Sequence, residues 1–329
     1  MGVTERQQQQ ERYAKCYDRD IAPIWTEPFT SFLLEGISVK EDAQILELAC
    51  ATGSLTERLL PRLRTGRVLA IDNRSLLLDR ARRKLGSAVG KHVFLSSNAL
   101  LQISKFAPTV FDLSLCNIEL LSMGEPIHIL HHLARITKPG GSVVGTLPIY
   151  GSFFECFDML QEVLATRHHD GGIDSVEVYK DRQPETIDID RWLTHAGYEE
   201  VTVSKKTFKL LFRSGFEFLK SPIIELELLP GWLSFLRRHV DKIDDIFLEL
   251  EKRIDQYFKG HPFELTVHMG RFQGRRPKNF KLSRFDDESL PTQEFNRRKS
   301  RESTVAQQGK TSTSQLIEPT NKSISDHDA

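Results

Sequence analysis

Ile45-Leu46-Glu47-Leu48-Ala49-Cys50-Ala51-Thr52-Gly53-Ser54 joins an apolar run to a turn of small residues. Nineteen residues after Gly53 the acid Asp72 closes a second apolar run, Val68-Leu69-Ala70-Ile71. These types and this spacing suit a nucleoside. Small residues let a ligand approach the backbone, a helix starting after the turn offers free N–H groups, and a carboxylate accepts from two ribose hydroxyls at once. The expected chemistry is that of a nucleoside-bearing cofactor. A dinucleotide fingerprint, G-x-G-x-x-G, would place glycines at 49, 51 and 54, where this chain has Ala49, Ala51 and Ser54. That spacing, with no recognisable acid/base pair, disfavours a nicotinamide-dependent oxidoreductase. The shorter pattern G-x-G-x-G places them at 49, 51 and 53, and only Gly53 is glycine.

Such a site needs elements that bring strand ends to one edge. Apolar runs and helical periodicity predict strands near 45–49, 67–71, 92–96, 110–116 and 142–147, alternating with helices near 53–63, 75–86, 124–136 and 188–196. This is an α/β pattern, a doubly wound and mostly parallel sheet. The strand ends at 49, 72, 98 and 117 fall on one edge, where open parallel sheets bind ligands. Before this core, residues 1–12 read as disordered and residues 12–34 as one or two helices broken at Pro23 and Pro28. After it, an insertion from Leu147 to Thr186 carries an apolar helix through Leu164 and is placed to roof a substrate. Its turn Arg167-His168-His169-Asp170-Gly171-Gly172 reads as solvated, and no metal site is expected.

A strand near 200–204, an apolar run from Thr207 to Phe212, a helical stretch over 214–258 and an antiparallel closing strand from Phe263 complete the fold. From about Arg275 the composition turns to Ser, Thr, Gln, Lys and Asn, which predicts a disordered tail. The expected organisation is an N-terminal helical segment (1–40), a cofactor-binding core (41–147), a substrate-cap insertion (148–187), the C-terminal part of the sheet with its helical insertion (188–275) and the tail (276–329).

The stretch Glu47-Leu48-Ala49-Cys50-Ala51-Thr52-Gly53 resembles the first motif of the class I S-adenosylmethionine-dependent methyltransferases, [D/E]-x-G-x-G-x-G. Val93–Ala99 resembles the third motif, Val110–Asn117 the fourth strand, Lys138–Val144 the turn into strand five, and His195–Val203 the helix, Gly cap and strand of the last sheet segment. The resemblance covers residues 40–215 in one register and extends to the type 11 and ubiquinone-biotin-synthesis members. Topologically, the helical excursion before the closing strand is similar to the malonyl-acyl-carrier-protein methyl ester synthases.

The resemblance implies a Rossmann-like fold, S-adenosylmethionine as cofactor, and a cofactor set of Glu47, Ala49, Ala51, Gly53, Asp72, Asn98, Ala99 and Asn117. Within it Glu47 would order the methionine amine, Asp72 hold the ribose, and Asn98 with Ala99 read adenine. Ala51 stands where the family has the glycine nearest the cofactor, and Asn98 where many members have Asp.

Composition limits the partners. With 45 basic and 45 acidic residues the formal net charge is zero, so no global field favours nucleic acid. Cys16, Cys50, Cys116 and Cys156 lie far apart without a C-x-x-C pair, as in a reduced compartment. The first residues are Gln-rich and charged, and no run of about 18 apolar residues occurs, so a cytoplasmic protein without a membrane span is expected.

Methyl transfer from a sulfonium mainly requires alignment and exclusion of water, because the leaving group departs neutral. A base is needed only for an acceptor that must lose a proton. No residue declares itself in that role; Tyr17, Asn117 and Glu119 stand near the relevant edge, as do His128 and His131, which also fit the helix before Lys138. The expected acceptor is a small molecule or an acyl-carrier-bound group, with O-methylation of a carboxylate, which needs no base, the simplest case. The alternative is a methyltransferase fold that has lost turnover and serves as a binding or regulatory module.

Overall fold

The computed structural model describes residues 3–97, 103 and 105–280. Seven strands, β1 (Gln44–Leu48), β2 (Arg67–Ile71), β3 (Val93–Ser96), β4 (Phe111–Asn117), β5 (Thr137–Pro148), β6 (Glu199–Phe212) and β7 (Phe263–Arg275), form one sheet in the order β3-β2-β1-β4-β5-β7-β6. The first five pair in parallel, and β7 runs antiparallel to both β5 and β6. This is the Rossmann-like, doubly wound sheet with an antiparallel closing strand. Its order reverses between β1 and β4, which opens a crevice at their carboxyl ends.

Alternation along each strand sends side chains to two apolar layers. Ile45, Val68 and Leu113 pack with Leu55 and Leu59 of α3 (Ser54–Leu59) and Leu78 and Leu85 of α4 (Ser75–Leu85). Leu46, Leu48 and Ile71 face the other way, onto Leu130 and Leu133 of α5 (Pro126–Ile136) and Ile189 and Leu193 of α8 (Thr186–His195). Glu47, two residues from Ile45, therefore points toward α3. The three histidines at 128, 131 and 132 all lie on α5.

Several boundaries differ from expectation. The strand near 200–204 and the run to Phe212 are one 14-residue strand, because every residue from Thr202 to Phe212 finds a partner on β7. Residues 3–16 are helical (α1, Val3–Cys16) rather than disordered: Gln, Glu and Arg are good helix formers, and Arg12 anchors the helix through a two-pronged bond to Glu225 at 2.6 and 2.8 Å. Pro28 does not break a helix. It is the third residue of α2 (Thr26–Leu33), in the first turn where its missing N–H costs nothing.

The insertion holds α6 (Phe154–Thr166) and α7 (Asp170–Asp181), so Gly171 and Gly172 belong to a helix and not to the expected turn. The stretch 214–258 divides into α9 (Gly215–Lys220), a π-helical turn (Ile223–Leu228), α10 (Leu229–Leu236) and α11 (Ile243–Tyr257). Trp232, 1 % exposed, packs against Phe153, Phe157 and Phe218 and ties these helices to the insertion. The packed chain continues past the expected tail boundary at 276: the Arg276 N–H donates to the Gly141 carbonyl at 2.8 Å, and its guanidinium lies 5.1 Å from the Phe280 ring. The remainder of the expected tail lies outside the described residues. No described helix is long and apolar enough to cross a membrane.

Candidate functional site

The turn after β1 keeps the backbone of a glycine-rich loop with alanines at two of its three glycine positions. Ala49, Ala51 and Gly53 all have positive φ, at 55°, 48° and 79°. For an alanine that conformation costs about 1 kcal/mol or more, so something must hold it. The Ala51 N–H donates to Asp72 Oδ2 at 2.8 Å, Cys50 N to the Ile71 carbonyl at 2.9 Å and Gly53 N to the Cys50 carbonyl at 2.7 Å. The turn is thereby fixed to the end of β2. From above, Asp18 in the π-helical turn Tyr17–Ile21 accepts from Thr52 Oγ1 at 2.5 Å and from Lys84 Nζ at 2.6 Å. The N-terminal segment therefore closes over the turn.

Asp72 is 2 % exposed and already fully engaged. Besides Ala51, it accepts from Arg74 through its backbone N–H (2.8 Å), Nε and Nη2 (both 2.9 Å). A carboxylate offers about four lone-pair sites, and here all are used. Ribose hydroxyls reach Asp72 only if the guanidinium leaves. Arg74 sits at the N-cap of α4, where Ser, Thr, Asp or Asn is the usual residue. Its Nη1 also reaches the Tyr13 hydroxyl at 3.1 Å and stands 3.9 Å from Glu119.

Two cavities meet at this arginine. The inner one leaves about 20 Å³ of room and is lined by Ala49, Cys50 and Ala51 of the turn, Ser54 and Leu55 of α3, and Glu47, Tyr17, Trp25, Thr26, Asn117 and Ile118. The outer one, about 640 Å³, lies along Asn73–Leu77, Tyr13 and Ala14. Arg74, Glu119 and Glu227 line both and form the wall between them. Trp25 is 2 % exposed and its Nε1 has no partner among the described residues. Ile118 has φ 73°, a strained value for a β-branched residue, directly after β4.

The chemistry of each group follows from its neighbours. Tyr17 is buried with its hydroxyl 2.9 Å from Thr26 Oγ1, and burial raises its pKa, so it stays a neutral phenol. Asn117 is clamped at both ends, its Nδ2 donating to Thr30 Oγ1 at 2.9 Å and its Oδ1 accepting from Thr146 Oγ1 at 2.5 Å. That placement makes it a brace for the crevice wall. Glu227 accepts from the Tyr13 hydroxyl. Burial, then the nearby Glu119 charge, push its carboxyl up to about 7, with Arg74 opposing.

Glu47 accepts from Thr56 Oγ1 on α3, and burial pushes its carboxyl up to about 8. The folded chain holds this proton to about pH 8, whereas the unfolded chain releases it near the ordinary 4.5. Ionisation then favours the unfolded state, so the contribution of Glu47 to stability is fully present below about pH 4.5 and is lost as pH rises to about 8. Glu47→Gln keeps an acceptor for Thr56 and removes this decline. Urea melts are expected to show a gain on the order of 3 kcal/mol at pH 7–8 and almost none at pH 4.5; a gain independent of pH would contradict a buried protonated acid.

The structure brings Glu47, Ala49, Ala51, Asn117, Tyr17 and Glu119 to one crevice and joins Asp72 to it through the Ala51 N–H; Gly53 does not line it, since a Cβ there would meet Leu85 and Ala81 of α4, and Asn98 and Ala99 lie outside the described residues. Sequence reading missed Arg74 and Glu227. Both carried a signal: Arg74 occupies a helix N-cap, and Glu227 falls four residues after Ile223 and three after Ile224, an acid on the apolar side of a helical pattern. Among the described residues no cluster of three or more potential metal ligands occurs.

Residues 45–141 match a family model described as a methyltransferase domain. The chain is 25 % identical over 185 residues to the malonyl acyl-carrier-protein O-methyltransferase of Paenibacillus sp. (strain JDR-2), covering 55 % of this chain and 64 % of that protein. It is 25 % identical over 131 residues to the demethylmenaquinone methyltransferase of Halalkalibacterium halodurans, covering 37 % of this chain and 52 % of that one. The chain thus spans between about half and two thirds of these curated relatives. The crystal structure of the YcgJ protein from Bacillus subtilis superposes with a TM-score of 0.50 at 10 % identity, over 76 % of this chain and 99 % of that one, a likeness of fold.

Proposed function

We propose, from the premise that the chain belongs to the class I S-adenosylmethionine-dependent methyltransferases, that it transfers a methyl group from this cofactor to a small-molecule or carrier-bound acceptor. The observation that carries the reading is the join between the 49–53 turn and Asp72, a left-handed backbone of small residues beside a carboxylate at the switch point of the sheet, which suits a nucleoside with two ribose hydroxyls. The indole N–H of Trp25 in the inner cavity, without a partner among the described residues, supports it as a buried donor for a ligand acceptor. When bound, the cofactor supplies an activated methyl on a positively charged sulfur. The chain's residues bind and align: Glu47 orders the methionine amine, the turn from Ala49 to Gly53 admits the amino-acid end, Asp72 takes the ribose once Arg74 moves, and Asn98 with Ala99 receives adenine.

On the acceptor side, Glu119 and Glu227 would repel a carboxylate, whereas a hydroxyl or amine that must lose a proton finds in Glu227 a carboxyl poised near neutrality. We therefore favour O- or N-methylation of a protic group over the carboxylate that the acyl-carrier relative's name suggests. Methyl-tritiated S-adenosylmethionine offered with phenols, primary amines and a malonyl thioester tests this. Label in the first two classes is expected, and label in the thioester alone would overturn the acceptor assignment. One observation favours the second reading, a non-catalytic binding module: Arg74 already fills Asp72, and the inner cavity leaves about 20 Å³. Cofactor binding without transfer to any class would support it.

A further inference from the structure

The wall shared by the two cavities consists of one cation and two acids, Arg74, Glu119 and Glu227. On the functional reading above, on which this inference rests, the amino-acid end of the cofactor lies over the 49–53 turn and the nucleoside end beside Asp72 and Asn73. The atom joining those two halves is the sulfur, so it falls at the wall. The ribose can reach Asp72 only by displacing the Arg74 guanidinium, because no lone pair of Asp72 is otherwise open. That displacement removes the nearest cation from Glu119 and Glu227 in a confined site, where an unbalanced charge is costly.

We propose that Glu227, together with Glu119, reads the charge of the sulfonium, so that the chain binds S-adenosylmethionine in preference to S-adenosylhomocysteine. The sulfonium takes the place of the guanidinium as counter-charge. Loss of the methyl group leaves a neutral thioether with no charge for the acids to hold, and the return of Arg74 to Asp72 favours release of the product. Three features hold Glu227 ready for this. It sits on a π-helical turn, an irregular segment that frequently marks functional positions. Its carboxylate is oriented by the Tyr13 hydroxyl, and Tyr13 also receives Arg74. The same inner cavity carries Trp25 Nε1, which has no partner among the described residues, a donor that the acids do not use and that points to a ligand with an acceptor group as well as a cation.

The test is calorimetric titration of S-adenosylmethionine and of S-adenosylhomocysteine into the full chain, its Glu227→Gln variant and its Glu119→Gln variant at one ionic strength. Wild type is expected to prefer the charged ligand about tenfold, and Glu227→Gln to bring the two dissociation constants within about twofold by weakening S-adenosylmethionine alone. Equal affinities in wild type, or a preference that survives Glu227→Gln, would overturn the inference while leaving the methyltransferase reading intact. Failure of wild type to bind either ligand would overturn that reading and this inference with it. If Glu227→Gln does not fold, Glu119→Gln decides: a preference reduced at least threefold supports the assignment, and an unchanged one overturns it.

Discussion

Asp72→Ala is expected to abolish cofactor binding, raising the dissociation constant at least a hundredfold, and to lower stability by roughly 3 kcal/mol. The binding loss follows from its position: Asp72 directly follows β2, is 2 % exposed, and on the proposed reading receives the two ribose hydroxyls once Arg74 moves. The stability loss has separate causes. The Ala51 N–H would be left buried without an acceptor, and Arg74 would lose both prongs of its pair. Because about a third of the Arg74 side chain is exposed, water recovers part of that second term. Arg74→Ala separates the two effects. It also lowers the melting temperature, but it frees two lone pairs of Asp72, so affinity for S-adenosylmethionine holds or rises. Calorimetry and thermal melts on both variants check this; equal loss of affinity in both would mean that Arg74 binds the cofactor rather than yielding to it.

Ala51 is expected to respond in opposite directions to two substitutions. Its φ of 48° and its burial leave little freedom, and its N–H is committed to Asp72. Ala51→Gly removes the left-handed penalty and should add about 1 kcal/mol of stability while tightening cofactor binding several-fold. Ala51→Val puts a β-branched residue where such residues are true outliers, at a cost of about 3 kcal/mol, and should eliminate binding by pulling the turn from Asp72. Chemical denaturation and titration of the two variants measure both effects. A neutral valine, or a glycine that destabilises, would show that the turn is not held in this conformation in solution.

What the sequence revealed, and what it hid, divides along physical lines. Strands β1, β2 and β4 were legible because their apolar runs end at residues of distinct type, and the motif at 47–53 carried its own spacing. The closing strand was legible from the alternation beginning at Phe263. The length of β6 was not, since Lys205, Lys206 and Lys209 interrupt its apolar pattern while its backbone still pairs with β7. The N-terminal helix was hidden by its Gln-rich composition; what fixes it is a pairing of Arg12 with Glu225, 213 residues away.

In the site, Glu47, Ala51 and Asp72 are local-motif positions. Arg74 and Glu227 are defined by who faces whom, and that information is carried by the fold. Asn117 shows the limit from the other side: its place at the end of β4 was readable, but Thr30 and Thr146, which take both ends of its amide, were not.

The most direct measurement is a crystal structure of the chain with S-adenosylhomocysteine. The account predicts both ribose hydroxyls on Asp72, the amino-acid end over the 49–53 turn beside Glu47, and the Arg74 guanidinium turned away from Asp72. A ligand bound elsewhere, or one bound while Arg74 still pairs with Asp72, would contradict it.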